Sequence, residues 1–262
     1  MDRYERLSVL LDGLAHQGKV EVDQAVKELG ASAATIRRDL AHLQEQGLAS
    51  RTHGGAVATS VSYDLPLRFK TSRFAAQKQA IGERAAAMIK PGQVVGLNGG
   101  TTTLEVARAL AVRTDLAETN LAKPVTVVTN AINLASELLV RPHLKVVVTG
   151  GVVRAKSFEL IGPLAGTVIE QLALDVTFLG VDGLDLGFGA SAYSDAEAQT
   201  NTDLAMAASK RVVVADSSKL GVRAFARICA INQLDAVVTD AGIDRAAAKK
   251  LSDAGVAVVI AN

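Results

Sequence analysis

From Pro91 to its C-terminus the chain repeats one pattern: a short valine-rich run, a cluster of small polar residues, then a helical stretch. Val94-Val95-Gly96-Leu97 leads into Asn98-Gly99-Gly100-Thr101-Thr102-Thr103, and Val125 to Val128 leads into Thr129-Asn130. Val146-Val147-Val148 ends in Thr149-Gly150-Gly151, and Val176-Thr177-Phe178-Leu179 ends in Gly180-Val181-Asp182-Gly183. Val212-Val213-Val214 precedes Asp216-Ser217-Ser218-Lys219, Ala236-Val237-Val238 ends in Thr239-Asp240, and Val256 to Ile260 closes the chain. Apolar runs without alternation belong to strands covered on both faces, which implies a parallel sheet with helices packed on each side. Residues 91–262 therefore read as a Rossmann-like, mostly parallel α/β domain. Its helices are expected over about 101–110, up to Leu139, near 163–172, over about 195–209 and after Asp240.

In an open parallel sheet the ligand crevice lies beyond the carboxyl ends of the strands. Glycines there let backbone N–H groups come close to an anion. Threonine hydroxyls and a helix N-terminus add donors and a partial positive charge. Asn98, Gly99, Gly100, Thr101, Thr102 and Thr103 thus read as a phosphate cradle. The loop lacks the Gly-Lys-Ser/Thr of a P-loop and the glycine spacing of a dinucleotide fingerprint. The plain alternative is a tight strand-to-helix turn, and the recurrence of such loops at several strand ends weighs against it. Thr129, Asn130, Gly150, Gly151 and Asp182 join the candidate effector site on the same ground. Asp216 and Lys219 are candidates for sugar hydroxyls and phosphate, with an exposed helix cap as their alternative role.

The first 59 residues follow a different period. Leu7, Leu10, Leu11 and Leu14 form a helical stripe over residues 2–16, and 19–22 is a brief extended piece. Asp23 is expected to cap a second helix through Leu29, with Val26 and Leu29 inward and Gly30 as its left-handed stop. Ser32 caps a third helix, in which Ile36, Leu40 and Leu43 share a buried face while Thr35, Arg37 and Arg38 point away. Residues 48–52 and 56–59 then read as a hairpin around His53-Gly54-Gly55, with Arg51 and His53 on it. Three helices and a hairpin make a winged helix-turn-helix domain over 1–59. Hydroxyls and guanidiniums at the start of its third helix suit a DNA groove, so Ser32, Thr35, Arg37, Arg38, Arg51 and His53 are the candidate contacts. A solvated helix in a small bundle is the alternative for the third helix alone. Bulk charge gives no help: residues 1–59 hold seven Lys/Arg and eight Asp/Glu, a net of −1. Any DNA footprint must come from clustering on one face.

Residues 60–90 read as a linker containing Pro66 and a connector helix from Thr71 to Lys90, with Phe74, Ile81, Ala85 and Met88 on its apolar side. With six Lys/Arg against Asp64 and Glu83 this segment is locally basic, either as a solvated face or with Lys78 turned to the effector crevice. Over the whole chain the net charge is +1, and no apolar run is long enough to span a bilayer. A lone Cys229 excludes an internal disulfide and fits a reducing cytoplasm, and four scattered histidines show no metal-ligand spacing. No cofactor is implied.

Arg6, Leu10, Leu14, Ser32, Thr35 and the string Ile36-Arg37-Arg38-Asp39-Leu40, with Arg51-Thr52-His53-Gly54-Gly55-Ala56, resemble the signature of the DeoR family of bacterial transcriptional regulators. In the second half, Asn98 to Thr103, Val128-Thr129-Asn130, Thr149-Gly150-Gly151, Phe178-Leu179-Gly180 and Asp216-Ser217-Ser218-Lys219-Leu220-Gly221 resemble that family's sensor domain. The resemblance implies double-stranded operator DNA as partner and a phosphorylated sugar or related metabolite as effector, on a fold similar to sugar-phosphate isomerases and deaminases. One departure stands out: the family often has Asp-Ser-Gly-Ser where Asn98-Gly99-Gly100-Thr101 stands here. The expected function is a repressor of a carbohydrate operon, not an enzyme, acting as a homodimer or homotetramer because paired modules read two-fold symmetric operators. The alternative is a sugar-phosphate isomerase or deaminase with a DNA-binding appendage, for which Asp182, Glu197, Asp216 and Lys219 could serve as base and polariser.

Overall fold

The computed structural model of the chain describes residues 1, 3–58, 66–116 and 123–262. They form two compact units, Met1–Arg73 and Phe74–Asn262.

The first unit comprises helix α1 (Arg3–Gln17), strand β1 (Lys19–Glu21), helices α2 (Val22–Leu29) and α3 (Ala33–Glu45), strands β2 (Ala49–Arg51) and β3 (Gly55–Ala58), and a short helix α4 (Leu67–Lys70). Leu7, Leu10, Leu11 and Leu14 from α1 meet Ile36, Leu40 and Leu43 from α3 in one core, all buried. Each such side chain contributes about 1.5–3 kcal/mol by leaving water. Gly30 closes α2 at φ 61°, a left-handed conformation that glycine adopts without steric cost. Three details differ from expectation. Asp23 lies inside the first turn of α2, whose N-cap is Glu21, and its most buried residues are Val22 and Ala25 while Val26 and Leu29 are half-buried. The expected hairpin is a three-stranded sheet, because β1 pairs antiparallel with β3 on the side opposite β2. Finally, part of the expected linker belongs to this unit. Phe69 of α4 is buried in the same core, its carbonyl accepts a hydrogen bond from Ser8 Oγ at 2.8 Å, and Arg73 pairs with Asp12 at 2.9 Å. The linker expectation over 60–65 lies outside the described residues.

The second unit opens with helix α5 (Ala75–Ala86), then β4 (Val94–Leu97), α6 (Thr101–Ala111), β5 (Val125–Thr129), α7 (Ile132–Leu138) and β6 (Leu144–Val148). It continues through β7 (Val152–Arg154), β8 (Glu159–Ile161), α8 (Pro163–Ile169), β9 (Leu174–Leu179), β10 (Gly183–Asp185), β11 (Gly189–Ala192) and α9 (Asp195–Met206). The last elements are β12 (Ala208–Val214), β13 (Ala226–Cys229), β14 (Ala236–Asp240), α10 (Arg245–Asp253) and β15 (Ala257–Ala261). Seven strands form the main sheet in the order β15-β14-β12-β9-β4-β5-β6, and every pairing in it is parallel. Val95, Val127, Phe178, Val214 and Val238 bury into the core on one face; Leu179, Val213 and Val237 bury on the other, which explains the unbroken apolar runs. Two antiparallel pieces were not anticipated: the β7–β8 hairpin, and a small sheet β10-β11-β13. Strands of three or four residues carry too few positions to show a period.

Helix α5 also corrects the reading of its faces. Ile81 and Ala85 are buried as expected, but Phe74 and Met88 are exposed, and Lys78 lies on the buried side at 4% exposure. The helix ends at Ala86, so Met88 falls beyond the last turn where the helical period no longer applies.

Candidate functional site

On the first unit, the DNA-facing candidates share α3 and the β2–β3 turn. Ser32 Oγ accepts from the Thr35 backbone N–H at 3.2 Å and lies 2.9 Å from Thr35 Oγ1, so the helix start is capped by its own hydroxyls. Arg37 and Arg38 are fully outward, Ser32, Arg51 and His53 are exposed, and Thr35 is half-buried. Asp39, next in the string, turns inward instead: it is 2% exposed and its carboxylate pairs with Arg6 at 2.5 Å and with Arg3 at 3.8 Å. The outward face of α3 thus carries two exposed cations in its first half, although residues 1–59 are not basic overall.

On the second unit, the parallel sheet puts the ends of β4, β5, β6, β9, β12 and β14 along one edge. The chain order reverses between β4 and β9: β5 and β6 lie to one side of β4, and β9, β12, β14 and β15 to the other. This is the switch point at which a crevice opens. Asn98 spans it, its Nδ2 donating to the Gly180 carbonyl at 2.9 Å and its Oδ1 accepting from the Gly180 N–H at 2.7 Å. Both ends of the Asn98 amide are therefore spent on joining β4 to β9. Gly99 presses on a side chain the sequence reading left out: a Cβ there would stand 2.3 Å from Glu159 Cγ, and the Gly99 N–H donates to Glu159 Oε1 at 3.0 Å. Gly100 starts α6, and its carbonyl accepts from Thr103 Oγ1 at 3.1 Å. What remains for an anion is the first turn of α6, whose amides have no intrahelical acceptor.

The other strand ends are similarly engaged. Thr129 Oγ1 accepts from the Ala131 N–H at 3.0 Å, and Asn130 Nδ2 donates to Glu159 Oε1 and to the Leu160 carbonyl, both at 3.3 Å. Asn130 Oδ1 is buried with no partner among the described residues. Gly150 and Gly151 turn the chain from β6 into β7, and Asp182 accepts from the Tyr193 N–H at 3.1 Å. Asp216 caps the turn Ser217–Lys219 by accepting from the Ser218 N–H at 3.2 Å and from the Ser218 hydroxyl, which is the plainer of its two expected roles. Lys219 is half-buried beside it. Asp240 holds the same turn from β14, accepting from Ser217 N at 2.6 Å and Ser217 Oγ at 3.0 Å.

Behind the cradle lies an acidic pair. Glu159 (3% exposed) and Glu197 (6% exposed) are both buried, and Glu197 accepts from Arg154 Nη1 at 3.0 Å. Burial, then the charge of Glu197, holds the Glu159 carboxyl well above the usual range. Sequence reading missed Glu159 because it sits in a three-residue strand with no pattern of its own. Among the described residues no cluster of His, Cys, Asp and Glu could hold a metal ion, and no helix is long and apolar enough to cross a membrane.

Comparison with known proteins completes the picture. Residues 6–61 match the DeoR-like helix-turn-helix domain, and residues 73–241 match the DeoR C terminal sensor domain. The chain is 37% identical over 241 residues to the HTH-type transcriptional regulator GlpR of Haloferax volcanii, covering 91% of this chain and 90% of that one. It is 30% identical over 241 residues to the Glycerol-3-phosphate regulon repressor of Escherichia coli K12, covering 92% of each. Among solved structures it is similar to the full-length Sorbitol Operon Regulator SorC of Klebsiella pneumoniae, at 15% identity and a TM-score of 0.41, covering 96% of this chain and 99% of that one. With both domain models in sequence and relatives aligned nearly end to end, the chain belongs to the DeoR family and is a DNA-binding transcriptional regulator, not an enzyme.

Proposed function

We propose that this regulator represses a carbohydrate-metabolism operon, binds double-stranded operator DNA through α3 and the β2–β3 wing, and is released by a phosphorylated sugar or related metabolite. The observation that carries the effector half is the switch-point crevice. There the first turn of α6 offers amides beside Thr101, Thr102 and Thr103, and the buried Asn130 Oδ1 has no partner among the described residues. A relative named for a glycerol-3-phosphate regulon supports a phosphate ester as the class of effector. The DNA half rests on the outward Arg37 and Arg38, flanked by the Ser32 and Thr35 hydroxyls, and on Arg51 and His53 of the wing.

Two-fold symmetric operators require paired modules, so the working form is a homodimer or homotetramer in the cytoplasm. A ligand shifts DNA affinity only if it binds the DNA-competent and released states differently. Lys219 lies at the crevice edge of the sheet and is the cation placed to draw a phosphate toward β12. Lys78 sits on the buried face of α5, the element that follows directly on Arg73. The experiment is a mobility shift on operator DNA with a panel of sugar phosphates. One member should lower affinity roughly 5- to 150-fold, the span of a 1–3 kcal/mol coupling. Lys219→Ala should keep DNA binding and lose most of that response. If no phosphorylated sugar changes affinity while an unphosphorylated sugar does, the effector class is wrong.

A further inference from the structure

Asn130 follows directly on β5, its side chain is fully buried, and the two polar atoms of its amide have unequal fates. Nδ2 donates to Glu159 Oε1 and to the Leu160 carbonyl, both at 3.3 Å. These acceptors fix the orientation of the amide, because turned over it would set oxygen against a carbonyl oxygen. Oδ1 is left without a donor among the described residues. Its neighbours in the sheet have none to spare. Leu97 pairs with Thr129 and Thr129 with Val148, which puts Asn98 and Thr149 beside Asn130. The Asn98 amide donates to the Gly180 carbonyl at 2.9 Å, and the Thr149 hydroxyl donates to the Gly150 carbonyl at 3.2 Å.

A buried acceptor without a donor costs free energy, and native proteins keep few of them. The surroundings say what it is kept for. One oxygen of Glu159 holds both Asn130 Nδ2 and the Gly99 N–H, so Asn130 adjoins the loop that starts α6. Arg154, which pairs in register with Glu159, donates to Glu197 of α9 at 3.0 Å. One helical turn beyond Glu197, Asn201 is also buried with its Oδ1 unpartnered. The α6 turn thus presents donors, while the Asn130 side presents amide oxygens and buried carboxyls. A ligand complementary to both carries an anion at one end and hydrogen-bond donors at the other.

We propose that Asn130 is a specificity residue of the effector crevice: its Oδ1 accepts a hydrogen bond from a hydroxyl of the bound ester, so that the regulator selects hydroxylated phosphate esters over alkyl ones. The inference rests on the reading of the crevice as an anion site.

Glycerol-3-phosphate and n-propyl phosphate are the probes, because they share the phosphate and the carbon chain and differ only in hydroxyls. Binding is measured calorimetrically on the full chain carrying Arg37→Ala and Arg38→Ala, so that the DNA face adds no anion site. Glycerol-3-phosphate should bind about 5- to 150-fold tighter, the ratio expected for meeting one buried acceptor. In Asn130→Ala the ratio should fall to within about twofold. A second measurement needs no substitution at Asn130. The Asn130 Cγ resonance, assigned through its own backbone, should move downfield with glycerol-3-phosphate and stay in place with n-propyl phosphate. That resonance decides the matter where Asn130→Ala does not fold or binds neither ester. Affinities for the two esters within about twofold with Asn130 intact would mean that water serves Oδ1, which overturns the role of Asn130 and leaves the anion crevice standing. An undiminished ratio in Asn130→Ala assigns the hydroxyl to another residue and also overturns it, as does a Cγ resonance that responds alike to both esters. Binding of neither ester with Asn130 intact removes both the anion crevice and this inference.

Discussion

On α3 the residues proposed to meet DNA stand in solvent, with Arg37 and Arg38 exposed, whereas at the sensor's strand ends Asn98, Thr103, Thr129, Asn130 and Asp216 are all buried. The first surface is assembled from exposed guanidiniums and from the Ser32 and Thr35 hydroxyls, which bond each other at the helix start. The second is assembled from side chains that mostly bond one another and nearby backbone, and what they leave over for a ligand is the amides of the first α6 turn and the buried Asn130 Oδ1. Substitutions of the exposed arginines should therefore change binding and leave stability alone. Substitutions at the strand ends should change stability first, so that a loss of effector response there is ambiguous unless folding is measured too.

The sharpest break in the comparison is Asp39, the one residue of the α3 string that behaves like the sensor's polar groups. It is buried and pairs with Arg6, whose side chain is itself mostly buried. Removing one partner of such a pair leaves a charge uncompensated, and Asp39→Asn should cost about 3 kcal/mol of stability. Thermal or urea unfolding of the full chain should show this loss in the transition of the first unit. If Asp39→Asn unfolds like the wild type but fails to bind DNA, the carboxylate acts at the DNA surface and not in the core.

Asn98 should come next. Asn98→Ala removes two hydrogen bonds and leaves the half-buried N–H and carbonyl of Gly180 unpaired, at a cost of about 2–4 kcal/mol. The second unit should lose stability while operator affinity of the folded fraction, measured by mobility shift, stays within twofold of wild type, the range expected for a site remote from the contact. A protein that stays fully stable would mean that the clasp across β4 and β9 is dispensable, and would return Asn98 to the list of ligand contacts.

These two residues also show why part of the molecule was legible in the sequence and part was not. Ile36, Leu40 and Leu43 fall on one side of a 3.6 period, so the outward placement of Arg37 and Arg38 follows from spacing alone. The valine runs likewise announce a covered parallel sheet, because strands buried on both faces cannot alternate. Spacing says nothing about which polar group at a strand end bonds another polar group far along the chain. Asn98 reaches Gly180 across 82 positions, and Gly99 reaches Glu159 across 60. Such pairings depend on strand order, which valine runs do not encode. Phe69 was hidden for a related reason: a four-residue helix after Pro66 has no period, yet its one aromatic is buried under α1.

The comparison predicts a cleaner outcome for the arginines. Arg37→Ala and Arg38→Ala should each weaken operator binding by about 1–3 kcal/mol if the contact is bidentate to guanine. Neither should shift the unfolding midpoint by more than about 0.5 kcal/mol equivalent, since both side chains are exposed. A contact to phosphate alone would appear as a shallower dependence on salt with sequence preference retained. Unchanged affinity in both variants would take α3 out of the groove.

The smallest effect lies at Ser32, which belongs to both sides of the comparison. Its hydroxyl caps α3 by accepting the Thr35 N–H, a stabilising contact, and it is exposed at the helix start, where a DNA phosphate would approach. Ser32→Ala should cost about 1 kcal/mol of stability through the lost cap. On its own that variant does not separate the two roles, because a frayed first turn would also misplace Thr35 and Arg37. Ser32→Asp does separate them. A carboxylate caps as well as a hydroxyl and is favoured by the helix dipole, so stability should return to wild type or slightly above. The same carboxylate placed against a phosphate is repelled, so operator affinity should fall below that of Ser32→Ala, and most steeply at low salt. Unfolding and mobility-shift titrations on the two variants then move in opposite directions. If Ser32→Asp restores stability and DNA binding together, the hydroxyl is only a cap, and the phosphate contact at the start of α3 must come from Thr35.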